Sequence, residues 1–216
     1  IEGMITTLRV LASTPGLGVA DFETLHNRGA VALQGTGAYV AMIGPDYKVW
    51  FNTRYPYGTA LAPSTNNGAV RRALDTGSVI VSGVHYSEAA RDWVVPVYMP
   101  VKMADGTTDV MAVTQNADNL ASALVSRQFP EGWQVALVDS DNRVIAASSE
   151  AGVDTGQTLF IPAADKQAWR KWTRVAVDGR HYVSTTANSI TTGWSVVAWA
   201  PDSAVERPFS TSLASL

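Results

Sequence analysis

Residues 39–52 read YVAMIGPDYKVWFN and residues 134–147 read QVALVDSDNRVIAA. Each is an apolar run, a turn carrying an aspartate, and a second apolar run. Short apolar runs joined by a turn of this chemistry predict a β-hairpin. Asp46 and Asp141 hold equivalent places in the two turns, about 95 residues apart. Gly58-Thr59-Ala60-Leu61 follows the first hairpin and Gly156-Gln157-Thr158-Leu159 the second. Hairpins with aspartate turns are common by themselves. Here the order of elements recurs as well, which predicts a tandem of two small α/β modules.

The intervening chain fills in around these hairpins. Ile1, Met4, Ile5, Leu8 and Leu11 form an apolar stripe at helical spacing. The helix has no capping residue at its start, so it is expected to continue upstream, and Pro15-Gly16 ends or breaks it. Asp21 is an N-cap candidate for a second helix carrying Phe22, Leu25, Gly29 and Leu33. A polar, aromatic loop follows the first hairpin, then a helix through Val70, Ala73 and Leu74 that Gly77 stops. Strands are expected at Val79–Tyr86, Trp93–Val101 and Asp109–Thr114, with a tight turn at Ala104-Asp105-Gly106. Residues 117–126 read as a connecting helix, and Phe129-Pro130-Glu131-Gly132 as a boundary. The second half adds a short helix at 164–171, two strands about Asp178-Gly179, and a last strand from Gly193 to Trp199. The fold class is α+β, with antiparallel sheets, helices on one sheet face and loops on the other. The expected division is a helical stalk (1–34), a first module (35–116), a connector (117–132), a second module (133–201) and a tail (202–216).

The 216 residues carry a net charge of −3 with no Lys/Arg run, which leaves no footprint for nucleic acid. Without cysteine the chain has no thiolate metal site, no catalytic thiol and no disulfide. No apolar stretch approaches the roughly 20 residues that span a bilayer, and the start lacks the features of a signal peptide. Beginning at Ile1 inside a helix, the sequence reads as a fragment of a longer protein.

Catalytic and cofactor motifs fail on inspection. Gly35-Thr36-Gly37 precedes a strand instead of joining strand to helix, so it is not a dinucleotide fingerprint. Asp139-Ser140-Asp141 imitates the start of a calcium loop, but Arg143 occupies a ligand position and no glutamate closes it. His26, His85 and His181 have no partner at metal spacing. No Gly-x-Ser-x-Gly elbow exists. Trp169 and Trp172 beside Arg170, Lys171 and Arg174 read as helix packing. Nothing nominates a metal, a cofactor or a catalytic residue.

Ligand chemistry is better represented. Arg54, Tyr55 and Tyr57 fall within four residues, stiffened by Pro56 and released by Gly58. A guanidinium fork suits a carboxylate or phosphate, and tyrosine joins an apolar body to a polar tip. A second patch comprises His85 and Tyr86, then Asp92 and Trp93, with Tyr98 in the strand beyond. Together Arg54, Tyr57, His85, Tyr86, Asp92, Trp93 and Tyr98 are the candidate ligand contacts.

The run YVAMIGPDYKVWFNTRYPYGTAL (39–61), with VRRALDTGSVIVSG (70–83) and DWVVPVYMPVK (92–102), resembles the membrane-distal module of a double Cache sensor domain. Residues 134–148 and 193–201 resemble its membrane-proximal module. The phrase around Asn52-Thr53-Arg54 is similar to versions found on bacterial sensor histidine kinases. The resemblance implies a long N-terminal helix leaving one transmembrane segment, two stacked PAS-like modules, and an approach to a second membrane helix. It implies an extracytoplasmic, periplasmic location on an inner-membrane receptor. It also implies a small metabolite ligand (a carboxylate, an amine or an amino acid) in the distal module. Amino-acid-binding members carry an Arg-x-Trp-Tyr signature where this chain has Arg54-Tyr55-Pro56-Tyr57, which leaves the ligand open.

The resulting expectation is a non-catalytic sensing domain of a two-component histidine kinase, dimeric through the apolar stripe of its first helix. A chemoreceptor or a diguanylate cyclase would carry the same domain. A soluble enzyme with an unrecognised carboxylate site, and a pure assembly module, are the readings from other classes.

Overall fold

A computed structural model gives the architecture and describes residues 1–13, 21–125, 129–159, 172–177 and 179–205. The expected break at Pro15-Gly16, the helix at 164–171, Asp178 of the turn, and the tail beyond 205 lie outside the described residues. Contacts divide the chain into two compact units, 1–82 with 87–116, and 83–86 with 117–216.

The first unit opens on two helices, α1 (Glu2–Ala12) and α2 (Phe22–Ala32). The long N-terminal helix implied by the resemblance is therefore corrected to a helix of 11 residues, followed by the second helix expected from Asp21, also of 11 residues. Two local features explain the division. The Ser13 backbone N–H closes α1 on the Arg9 carbonyl. Asp21 then starts a new helix, its carboxylate accepting the Thr24 N–H at 3.0 Å. The apolar stripe has a use inside the unit. Met4, Leu8 and Leu11 are buried with Leu25, Val40, Met42, Val97, Met99 and Met111. Those side chains of α1 cover their own sheet, while Ile1 and Ile5 of the stripe stay partly buried at its edge. Burying one such leucine contributes roughly 1.5–3 kcal/mol.

The first sheet runs in the order β2-β1-β6-β5-β3 and is antiparallel throughout. Its strands are β1 (Ala38–Ile43), β2 (Val49–Asn52), β3 (Ile80–Val81), β5 (Asp92–Lys102) and β6 (Thr108–Asn116). The strand expected over 79–86 is two pieces, β3 and β4 (His85–Ser87). The break at Ser82–Val84 has a cause: the Val84 N–H leaves the ladder and donates to the Asp139 carboxylate instead. Helix α3 (Asn67–Thr76) ends at Gly77, whose φ of 62° is the left-handed cap predicted for it.

Strand parity sorts the sheet into two faces. Val40, Met42, Val97, Met99, Val101, Met111 and Val113 join the core under α1 and α2. The intervening Ala41, Ile43, Tyr98, Val110 and Ala112 pack on Ala69, Val70 and Ala73 of α3. A helix thus shares the face that the sequence assigned to loops alone. Small residues Ala41 and Ala112 stand opposite each other, with Tyr98 next along the same row, and so leave room over the sheet.

The second unit contains α4 (Ala117–Val125), β7 (Gln134–Val138), β8 (Val144–Ala147), a 3-10 turn (Ser149–Ala151), β9 (Thr173–Val177), β10 (Arg180–Asn188) and β11 (Ser195–Pro201). Its sheet runs β8-β7-β11-β10-β9, again all antiparallel. Substituting β7 for β1, β8 for β2, β11 for β6, β10 for β5 and β9 for β3 reproduces the first order.

The duplication holds residue by residue in the hairpins. Ala41 pairs with Asn52 and Met42 with Phe51, then the register slips before Ile43 meets Val49. Ala136 pairs with Ala147 and Leu137 with Ala146, then the same slip precedes Val138 with Val144. Tyr47 and Asn142, at the same place in each turn, both adopt positive φ (67° and 60°). The Val40 N–H donates to the Thr53 hydroxyl, and the Val135 N–H to that of Ser148.

Candidate functional site

One end of the α3 face of the first sheet is polar. There β1 begins at Tyr39, β2 ends at Asn52, β5 begins at Asp92 and β6 ends at Asn116. Tyr39, Thr114 and Pro96 share one cross-strand row, and Val94 faces Asn116 in the next. By parity Tyr39, Asp92, Tyr98, Thr114 and Asn116 lie on this face.

Arg54 reaches over it from the loop after the first hairpin. The Asn52 side-chain oxygen takes the Arg54 N–H at 2.9 Å and turns the chain there. The guanidinium donates to the Ala90 carbonyl at 3.1 Å and, more weakly, to the Asn116 side-chain oxygen at 3.4 Å. It also sits over the Tyr39 ring, 4.7 Å from the centroid. The amide of Asn116 donates in turn to Asp92 Oδ2 at 2.6 Å. A cation and an anion are thus held on either side of one neutral amide, without pairing to each other. Tyr55 ties the same two loops together, its hydroxyl donating to the Ala89 carbonyl at 2.8 Å.

Hydroxyls and amides complete the arrangement. Asn66 donates to the Ser82 hydroxyl at 3.0 Å. Burial pushes the Tyr39 phenol up, opposed by hydrogen bonding from Ser87 and Thr114 and by the charge of Arg54. Tyr98, 4% exposed, is pushed well up by burial, opposed by hydrogen bonding to Asn66. Both phenols are therefore neutral donors in ordinary buffer.

The sequence-predicted contacts separate. Arg54, Asp92 and Tyr98 come together on this face. Trp93 alternates to the other side of β5. Tyr57, 41% exposed, lays its ring edge-on to His26 at 5.6 Å. His85 and Tyr86 fall in the second unit. Tyr39, Asn66, Ser82, Ser87, Thr114 and Asn116 were missed. The available signal was in the strands themselves: Tyr39, Thr114 and Asn116 are the polar members of otherwise apolar alternating runs.

His26 supports the site loop from behind. It is buried on α2, and its Nε2–H donates to the Tyr55 carbonyl at 2.9 Å, since a carbonyl can only accept. Phe51 and Tyr57 pack edge-on to its ring.

The second unit offers different chemistry. Its cavity of about 440 Å³ is lined by Trp199, Tyr182, Leu159, Val153, Gln134 and Gln157 among others, and no charged side chain is among the described lining residues. Among the described residues no group of three or more His, Asp or Glu could hold a metal, and no helix is long and apolar enough to cross a membrane.

No protein-family model and no curated protein matches this chain. Solved structures do. The fold is that of double Cache ligand-binding domains. The ligand-binding domain of the Campylobacter jejuni chemoreceptor Tlp3, solved with L-norvaline, matches with a TM-score of 0.69 at 11% identity, covering 91% of this chain and 81% of that one. The ligand-binding domain of the Pseudomonas aeruginosa amino-acid chemoreceptor PctC, solved with GABA, matches with a TM-score of 0.66 at 15% identity, covering 92% and 90%. The extracellular domain of rpHK1S-Z16, described as a histidine kinase, matches with a TM-score of 0.63 at 16% identity, covering 83% and 78%.

Proposed function

We propose that this chain is the small-molecule sensing domain of a membrane receptor, with its ligand on the α3 face of the first unit. The observation that carries this is the placement of Arg54 and Asp92 on either side of Asn116, beside the hydroxyls of Tyr39 and Thr114. A zwitterion of amino-acid size complements that pattern, its carboxylate toward Arg54 and its ammonium toward Asp92. The ligands named for Tlp3 and PctC are of this class.

An extracytoplasmic location and a non-catalytic role follow from the same reading. The output domain is proposed as a histidine kinase, in line with rpHK1S-Z16 and with the sequence around Asn52-Thr53-Arg54. A homodimer would use the exposed side of α1, with Glu2, Thr6, Arg9 and Val10, rather than its buried stripe.

A thermal-shift screen of L-amino acids, GABA, small amines and small carboxylates tests the proposal. A ligand that binds only the folded state raises Tm as its concentration passes Kd. Absence of a shift across the whole set would count against metabolite sensing. A domain without a small ligand would then be the better description.

A further inference from the structure

We propose that the cavity of the second unit is a ligand site in its own right, for a small uncharged molecule with an aromatic body and one hydrogen-bonding group. Its volume of about 440 Å³ suits a ligand of that size. All of its described lining residues belong to the second unit.

Strand register decides what lines it. Gln134 of β7 stands opposite Trp199 of β11, which stands opposite Ser184 of β10. Residues paired across an antiparallel ladder share a sheet face. Tyr182, two positions before Ser184, joins them on it. Trp199, 3% exposed, and Leu159 form a buried base, with Val153 and Tyr182 partly buried against it. An indole and a phenol ring beside aliphatic walls favour a flat, apolar body.

The polar groups favour a neutral one. The Gln157 amide is already spent: its oxygen accepts the Asp154 N–H at 3.1 Å and its nitrogen donates to the Asp154 carboxylate at 3.2 Å. The half-buried Gln134 side chain has no hydrogen-bond partner among the described residues. A donor and an acceptor are therefore left on Gln134 for one ligand hydroxyl or amide. A charged ligand would lose water and meet no countercharge on the described lining.

Register also shows how the chemistry of this place differs between the copies. In the first sheet Tyr39 pairs with Thr114, so Gln134 takes the place of Tyr39 and Trp199 that of Thr114. Pro201 then stands where the first copy has Asn116, and Ser149 where it has Arg54. The sheet position is kept, while its cation, phenol and amide give way to a hydroxyl, an amide and apolar rings.

An NMR titration of the 216-residue chain tests this with three probes that share one ring: benzyl alcohol, benzoate and benzylammonium. Benzyl alcohol is expected to give saturable shifts at residues 134, 153, 159, 182 and 199, with a Kd of about 1 mM or tighter. The charged probes should bind there more weakly by about tenfold or more. Gln134→Leu keeps the bulk of the side chain and should weaken benzyl alcohol about 2- to 10-fold. Val153→Trp fills the space and should abolish saturation while the β7, β10 and β11 resonances persist; should it fail to fold, Gln134→Leu carries the test. No saturation at these residues up to about 10 mM benzyl alcohol, equal binding of the three probes, or full affinity in Gln134→Leu overturns the proposal. Failure of every zwitterion in the thermal-shift screen would sink the role proposed for Arg54 and leave this site standing.

Discussion

Replacing Arg54 by alanine probes the proposed site most directly. In the free domain the guanidinium makes one good hydrogen bond to the Ala90 carbonyl (3.1 Å), a weak one to Asn116 (3.4 Å), and a cation–π contact with Tyr39 (4.7 Å). Arg54 is exposed, so solvent and salt screen these contacts. The hydrogen bond is worth about 0.5–1.5 kcal/mol and the ring contact about 0.5–1, so the fold should lose only about 1–2 kcal/mol. Binding should suffer more, because a ligand carboxylate would lose its charge-assisted donor. That loss is about 1.5–3 kcal/mol, or roughly 10- to 150-fold in Kd. Arg54→Lys separates the terms: it keeps the charge but not the fork, and should recover only part of the affinity. Isothermal titration with the best ligand of the thermal-shift screen reads Kd, and urea unfolding reads stability. A Kd within about threefold of wild type for Arg54→Ala, with the stability loss as expected, would remove Arg54 from the site and refute the zwitterion geometry.

Three further predictions concern the scaffold. His26→Ala removes a buried hydrogen bond and two ring contacts and strands the Tyr55 carbonyl; it should cost about 2–4 kcal/mol in urea unfolding and weaken binding through the loop, and a cost under about 0.5 kcal/mol would contradict the support assigned to it. Leu8→Ala, at a site with 0% exposure, should cost about 2–5 kcal/mol independently of protein concentration. A concentration-dependent loss would return the stripe of α1 to a subunit interface. Burial lowers the pKa of His85, and hydrogen bonding to Gly83 opposes this only in part. The unfolded chain, titrating near 6.5, then binds the proton first. Stability should be complete above that pH and decline below it, and His85→Asn should flatten the decline; an unchanged pH profile in the variant would assign it to other groups.

Much of the fold was legible because it is written in local chemistry. Asp21 and Gly77 bound helices as their capping chemistry dictates. The hairpin turns at Asp46, Asp105 and Asp141 formed where Pro, Asp, Asn and Gly allow tight reversal. The break of the strand at Ser82–Val84 was not legible. It depends on a carboxylate 55 positions along the chain that competes with the ladder for the Val84 N–H. The site was half legible. The sequence nominated Arg54, Asp92 and Tyr98 by residue type, and these share the candidate face, whereas the structure places Tyr57 and Trp93 away from it. A ring three residues past Arg54 is captured by His26, and a residue next to Asp92 in a strand must point the other way.

By itself the sequence determined the α+β class, the doubling of a hairpin unit and the lack of thiol chemistry, since turn residues, apolar periodicity and composition act over a few residues. Tertiary structure decided which sheet face α1 covers, which polar side chains converge around Asn116, and that one buried carboxylate holds Val84. Those outcomes depend on strand order and register. Two segments far apart in the chain become neighbours only when the sheet places them side by side.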